Sequence, residues 1–211
     1  MMEISILRLG QIGTNCYIFR KDGGHRCGIV DPGDQGEQVA AWLIQNGLEA
    51  EAVLLTHSHF DHILGIPGLR EEWPDLPVYC HPADIHQGED TVSMFGQSFP
   101  TVSSFGDVTS YEEGDMVEVA GVDVEVLETP GHTPGSVTLR AGDVLFTGDT
   151  LFAGSMGRVD FDGGDERAMM SSLKRLGELD GDYRVLPGHE GQTTLEGERR
   201  TNQCLRAAMD R

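Results

Sequence analysis

Apolar positions along the chain fall into short runs with two different periods. Residues 4–9 (Ile-Ser-Ile-Leu-Arg-Leu) and 14–20 (Thr-Asn-Cys-Tyr-Ile-Phe-Arg) read as paired strands about a turn at 10–13. Asp22-Gly23-Gly24 is a turn signal, and 27–30 a third strand leading into Asp31-Pro32-Gly33. Asp31 is read there as a turn residue in preference to a support for a nearby site. Over 35–46 the spacing of Val39, Trp42 and Leu43 predicts a helix, with Gly47 suited to end it. Ala52-Val53-Leu54-Leu55 is the continuous apolar run of a short buried strand. A helix is expected over 62–72, where Pro67 demands an early kink or a late start, and then a strand at 78–81.

After residue 110 the pattern resumes. It gives strands at 116–119 and 122–128, and a hairpin of 136–140 with 144–147 around Gly142-Asp143. An amphipathic helix at 165–179 carries Met169, Met170, Leu173 and Leu176 as a core stripe. A strand at 184–186 and a helix at 194–209 complete the chain. Two mixed runs of strands and helices predict two packed sheets with helices outside and the strand-end loops gathered at one rim. The stretch between the runs, 84–110, is rich in Ser, Thr and Gly, and scatters Val92, Met94, Phe95, Phe99, Val102 and Phe105 without period. It reads equally as a lid over a pocket or as a surface excursion packed on the domain.

Composition narrows the function classes. A length of 211 residues suits one domain, 1–211, with a substantial core. Fifteen basic against thirty-five acidic residues give a net charge of −20, a field that repels nucleic acid and anionic membranes. No stretch is long and apolar enough to span a bilayer. Cys16, Cys27, Cys80 and Cys204 lie far apart with no CxxC pair, as reduced thiols of a cytoplasmic protein do.

The chemistry concentrates directly after the apolar run, in Thr56-His57-Ser58-His59-Phe60-Asp61-His62. In extended chain the rings of His57 and His59 point to one side and can share an ion. Asp61 and His62 diverge from that pair and can serve a second ion. Three more strand ends present a side chain each: Thr129-Pro130-Gly131-His132, Phe146-Thr147-Gly148-Asp149 and Leu186-Pro187-Gly188-His189. Five of the eight histidines thus sit at strand ends. His25 and His86 read as surface residues and His81 as structural. Arg158 suits a substrate carboxylate and equally an ion pair with Asp160.

The order His57-x-His59-x-Asp61-His62, His132, Asp149, His189 resembles the metallo-β-lactamase superfamily over nearly the whole chain. The resemblance implies an α/β fold, the four-layer αβ/βα sandwich, with a dinuclear metal site on its upper edge. Carried across, His57, His59 and His132 would hold one ion; Asp61, His62 and His189 would hold the other; Asp149 would bridge them. Two divalent ions are implied, with zinc favoured and iron or manganese also suited to the donor set. The segments 130–136 and 146–152 and Gly157-Arg158 resemble glyoxalase II, the hydroxyacylglutathione hydrolases. With 22 residues after His189, the similarity is to the short, single-domain branch. This implies hydrolysis of a small-molecule thioester of the S-acylglutathione kind, with a metal-bridging hydroxide as nucleophile and Asp61 orienting it. The rival readings are a mono-iron persulfide dioxygenase, using the positions of His57, His132 and Asp149, and a lactone or ester hydrolase. Hydrolysis of β-lactam drugs is not expected, on the ground that lactamases usually lack this second-site arrangement. RNA cleavage is disfavoured by the charge, and a closed, non-catalytic metal module by the complete ligand set.

Overall fold

A computed structural model describes residues 1–94 and 96–210. Phe95, one of the apolar residues singled out in the 84–110 stretch, lies outside the described residues. The first six-stranded sheet contains β1 (Met2–Leu9), β2 (Thr14–Lys21), β3 (Arg26–Val30), β4 (Glu49–Leu54) and β5 (Val78–Cys80). A small hairpin, β6 (Thr91–Met94) and β7 (Gln97–Pro100), precedes the sheet's last strand, β8 (Thr109–Ser110). The second six-stranded sheet is built from β9 (Met116–Val119), β10 (Val122–Glu128), β11 (Val137–Ala141) and β12 (Val144–Gly148). After the two-stranded ribbon of β13 (Leu151–Phe152) and β14 (Ser155–Met156), β15 (Arg184–Pro187) and β16 (Thr193–Thr194) complete it. Helices α1 (Gly36–Gln45), α2 (Phe60–Ile63) and α3 (Ile66–Glu72) accompany the first sheet. Helices α4 (Glu166–Gly177), α5 (Leu195–Thr201) and α6 (Gln203–Met209) accompany the second.

The strands are apolar on both faces because each sheet is covered on both. Tyr17 and Phe19 of β2, with Val30 and Leu54, meet Val124, Leu139, Phe146 and Leu186 between the sheets. The alternate residues Cys16, Ile18, Ile29 and Val53 point outward onto Val39 and Leu43 of α1 and Leu69 of α3. On the far side Leu145 and Val185 pack against Met169, Leu173 and Leu176 of α4 and Leu205 of α6. Three apolar interfaces separate four layers, helix–sheet–sheet–helix, as expected. The methionine stripe of α4 is core packing.

The sequence reading departs from the structure where local breaks decide. The helix expected over 62–72 is two helices, since Gly65 separates them and Pro67 sits in the first turn of α3, where its missing N–H costs nothing. The terminal helix is also two, divided at Asn202, whose side chain accepts from the backbone N–H groups of Cys204 and Leu205 and starts α6. The 84–110 stretch is more ordered than its composition suggests. It holds the β6–β7 hairpin, a 3₁₀ turn at Val102–Phe105 and the edge strand β8, which pairs parallel with β5.

Strand direction places the site. β3, β4 and β5 run parallel, as do β12 and β15, and β10 runs in the same sense as β12 through its antiparallel neighbour β11. The carboxyl ends of β3, β4, β10, β12 and β15 therefore deliver Asp31, the 56–62 loop, His132, Asp149 and His189 to one edge of the sandwich.

Candidate metal centre

All seven residues predicted from the sequence as ligands converge there. Their donor atoms form three overlapping groups in which every atom lies within 4.8 Å of the others: His57–His59–His132, His57–His62–Asp149 and Asp61–His62–His189. His59 Nδ1 faces His132 Nε2 at 2.8 Å. His62 Nε2 lies 3.5 Å from Asp149 Oδ1 and 3.7 Å from Asp61 Oδ2. His189 Nε2 lies 3.3 Å from Asp61 Oδ2 and 3.5 Å from Asp149 Oδ2, and His132 Nε2 lies 3.5 Å from that same oxygen. Asp149 thus stands between the two sides of the cluster.

Three of the five rings, those of His57, His62 and His132, are aimed by a bond on the far nitrogen, the device that fixes tautomer and direction in metal-binding histidines. His62 Nδ1–H donates to Asp31 Oδ2 at 3.0 Å. His57 Nδ1–H donates to Thr56 Oγ1 at 3.1 Å, and that hydroxyl donates in turn to Asp31 Oδ2 at 2.6 Å. His132 Nδ1–H donates to the Arg158 carbonyl at 2.7 Å. Asp31 also accepts from the Thr56 backbone N–H and is 1% exposed. It is a buried carboxylate serving two histidines, and the turn reading preferred from the sequence misses this. Its only signal there was its place at the end of a predicted strand.

Backbone straps hold the loops. Asn15 donates from its side chain to the carbonyls of Pro187 and Glu190, and Tyr17 O–H donates to Pro187 at 2.6 Å, so β2 grips the loop bearing His189. Buried Asp84 accepts from Ser58 N, Gly135 N and Thr133 Oγ1, tying the 56–62 loop to the 132–135 loop. Buried Glu198 accepts from Gly154 N, Thr193 Oγ1 and Asn202 Nδ2, so the C-terminal helices fix the 152–158 loop. No motif marks Asp84; its role appears only once distant loops meet. At Gly188 a Cβ would lie 2.4 Å from Asp149 Oδ1 and 2.7 Å from His62 Cε1, so only glycine admits this approach.

Among the described residues three buried side-chain polar atoms have no hydrogen-bond partner: His57 Nε2, His62 Nε2 and Asp149 Oδ1. Buried polar groups are almost always paired, and these three point into the ring of donors. Two imidazole nitrogens, left free by the bonds on their far sides, and a carboxylate oxygen are what a divalent cation takes. The residues fit a metal. The electrostatics agree: burial and then the neighbouring rings hold His57 well below the ordinary histidine value, and the same causes bring His59 down to about 3. Burial also opposes the charge on His62, yet Asp61, Asp31 and Asp149 raise it to about 9. His189 is raised against burial to about 10 by Asp149 and Asp61. The carboxylates that hold protons on these rings would hold a cation in their place.

The remaining candidates separate as expected. His81 bonds Glu128 at 3.1 Å and caps a 3₁₀ turn, a structural role. His25 and His86 lie outside the cluster. Arg158 makes a two-pronged pair with Asp160 at 2.9 and 2.8 Å and lies over the Phe161 ring, at the mouth of the cleft above the centre.

With this geometry in place the comparison with known proteins is direct. The profile of the Metallo-beta-lactamase superfamily matches residues 9–189. The chain belongs to the metallo-β-lactamase superfamily. It is 36% identical to an uncharacterised protein of Mycobacterium tuberculosis, over 97% of this chain and 98% of that one. It is 33% identical to a probable metallo-hydrolase of Bacillus subtilis, over 93% and 94%. It is 31% identical to the hydroxyacylglutathione hydrolase GloC of Haemophilus influenzae, over 97% and 98%. Among solved structures it resembles the B3 metallo-β-lactamase BLEG-1 (TM-score 0.86, 33% identity, 96% of this chain and 99% of that one). It also resembles a protein solved in a di-iron-bound form (TM-score 0.80, 39% identity, 94% and 98%).

Proposed function

We propose that the protein is a metal-dependent hydrolase of small-molecule thioesters, of the S-acylglutathione kind. The observation that carries the reading is the convergence of His57, His59, Asp61, His62, His132, Asp149 and His189, with three of their buried donor atoms unpartnered. His57, His59 and His132 would hold one divalent ion, Asp61, His62 and His189 a second, and Asp149 would stand between them. Zinc is the favoured metal, with iron or manganese compatible with the same nitrogen and oxygen donors. When bound, such ions lower the pKa of water to about 7 and polarise a carbonyl oxygen. The chain's own residues position, gate and balance charge. Asp61, which accepts from the Thr14 hydroxyl at 3.1 Å, would orient a water against the substrate carbonyl. In the net reaction water oxygen bonds to the acyl carbon, the C–S bond breaks, and acid and thiol leave. No serine or cysteine nucleophile is required.

The cleft above the centre, about 270 Å³, is walled by Ile12, Met94, Phe152 and Phe161, with Arg158 at its rim. It leaves room for a small ester or thioester. That GloC, a hydroxyacylglutathione hydrolase, is matched over 98% of its length supports this substrate class. The free state of all four cysteines supports a reducing, cytoplasmic setting, and no described helix is long and apolar enough to cross a membrane. The test is thiol release from S-D-lactoylglutathione by metal-loaded protein. Turnover lost on chelation and restored by metal is expected; none with two ions bound would overturn the reading. A second reading, β-lactam hydrolysis, is favoured by the B3 neighbour and is tested on the same preparation with a chromogenic cephalosporin.

A further inference from the structure

A second, larger cleft of about 490 Å³ opens beside the metal centre, between the β6–β7 hairpin and the loops at 133–134 and 162–163. His59, Phe60 and Met94 line both this cleft and the one above the centre, so a substrate reacting at the centre can extend into either. The two differ in chemistry. The side cleft is walled by Phe60, Val92, Met94, Phe99 and Pro134. Phe60 stacks on Phe99 at 4.1 Å, and Phe99 stands opposite Val92 in the hairpin, giving a continuous apolar wall that begins beside His59. Its charged residues are all acidic, Glu89 and Asp162 at the rim and Asp84 beneath, whose oxygens are taken up by the loops it ties; His59 and the exposed His86 also line it. Among the described residues no lysine or arginine lines it. The cleft above the centre carries Arg158, paired with Asp160, beside the metal-facing Asp61 and Asp149.

A thioester has two arms, and these clefts sort them by charge. Glutathione carries two carboxylates, which the acidic rim of the side cleft repels. We infer that the side cleft is the acyl-binding site and that it takes an uncharged, apolar acyl chain of several carbons. This rests on the thioesterase reading for the chemistry at the centre, though the cleft's preference for apolar, uncharged groups follows from its own lining. Each methylene buried against such a wall contributes about 0.8 kcal/mol, or roughly fourfold in binding.

The experiment holds the thiol carrier constant and varies the acyl arm: S-acetyl-, S-butanoyl-, S-hexanoyl- and S-adipoylglutathione with metal-loaded protein. The expected result is a kcat/KM rising at least tenfold from acetyl to hexanoyl, and falling at least tenfold when a terminal carboxylate replaces the methyl in adipoyl. Val92→Glu, which puts a charge into the wall, should collapse the hexanoyl-to-acetyl ratio. A binding arm does not depend on turnover: N-hexylacetamide, a neutral probe, is titrated into protein with labelled valine and methionine methyl groups. Shifts at Val92 and Met94, absent with N-methylacetamide, are expected. A flat or falling chain-length series with active enzyme overturns the acyl-site assignment while leaving thioester hydrolysis standing. No hydrolysis of any of the four, with probe shifts at Val92 and Met94, removes the thioesterase reading and upholds the apolar cleft. Absence of those shifts overturns the cleft's assignment whatever the turnover.

Discussion

Replacing Asp31 by Asn changes one atom and reverses the direction of a hydrogen bond on which the metal centre depends. Asp31 Oδ1 accepts from Thr56 N at 2.8 Å, and Oδ2 accepts from Thr56 Oγ1 and His62 Nδ1. An amide can keep the first bond by placing its oxygen there. Its NH2 group then faces His62 Nδ1 and can only donate. The imidazole must give up its Nδ1 proton and carry the proton on Nε2, where it removes the lone pair aimed at the centre. The Thr56 hydroxyl also loses its acceptor, loosening the bond that aims His57. Removing such support from a metal-ligating histidine costs about 10–100-fold in affinity, or roughly 1.4–2.7 kcal/mol. The fold should survive, because the substitution is isosteric and asparagine tolerates the left-handed backbone of this position, φ 52°. Metal affinity is measured by competition with a chromogenic chelator, and the tautomer of His62 by long-range proton–nitrogen NMR on metal-free protein above pH 9, where the ring is neutral. The expected outcome is weaker binding of the second ion and a proton on His62 Nε2. Wild-type affinity in D31N, with the proton still on Nδ1, would refute the reasoning.

Gly188→Ala should cost about 1–3 kcal/mol of stability by overpacking and lower turnover at least a hundredfold, because the added methyl meets both Asp149 and His62; thermal melts and kcat check both. Asp84→Ala leaves the donors of Ser58, Thr133 and Gly135 without their acceptor and should destabilise by about 2–4 kcal/mol, lowering Tm by roughly 5–15 °C. Iodoacetamide at pH 8 should modify Cys204 alone in the native protein, read by mass spectrometry. Cys16, Cys27 and Cys80 are fully buried, and burial pushes the Cys27 thiol up to about 12 and the other two up as well.

The layers were legible because strand and helix periods differ, and because runs such as 52–55 are apolar on both faces only when a sheet is covered on both. The seven ligand candidates were legible because His57, His59, Asp61 and His62 cluster directly after the 52–55 run, His132, Asp149 and His189 each sit in a turn that follows a strand, and their order resembles that of a known superfamily. What the chain did not reveal is how those residues are held. Asp31 and Asp84 look like ordinary acidic turn residues in a chain with thirty-five acids. Their importance lies in hydrogen bonds to loops 25 to 51 residues away, which no local pattern encodes. The 84–110 stretch was opaque for a related reason: its strands are four residues or fewer, too short for alternation to stand out, and β8 exists only because β5 offers it an edge. Helix boundaries at Gly65 and Asn202 depended on caps rather than on periodicity.

The central claim is that two ions held by these seven residues carry out thioester hydrolysis. Its most direct test is to add zinc stepwise to metal-free protein while following thiol release from S-D-lactoylglutathione. Activity should rise through the second equivalent of metal and then level, and His59→Ala should remain inactive throughout. Full activity at one equivalent, or none with two ions bound, would contradict the account.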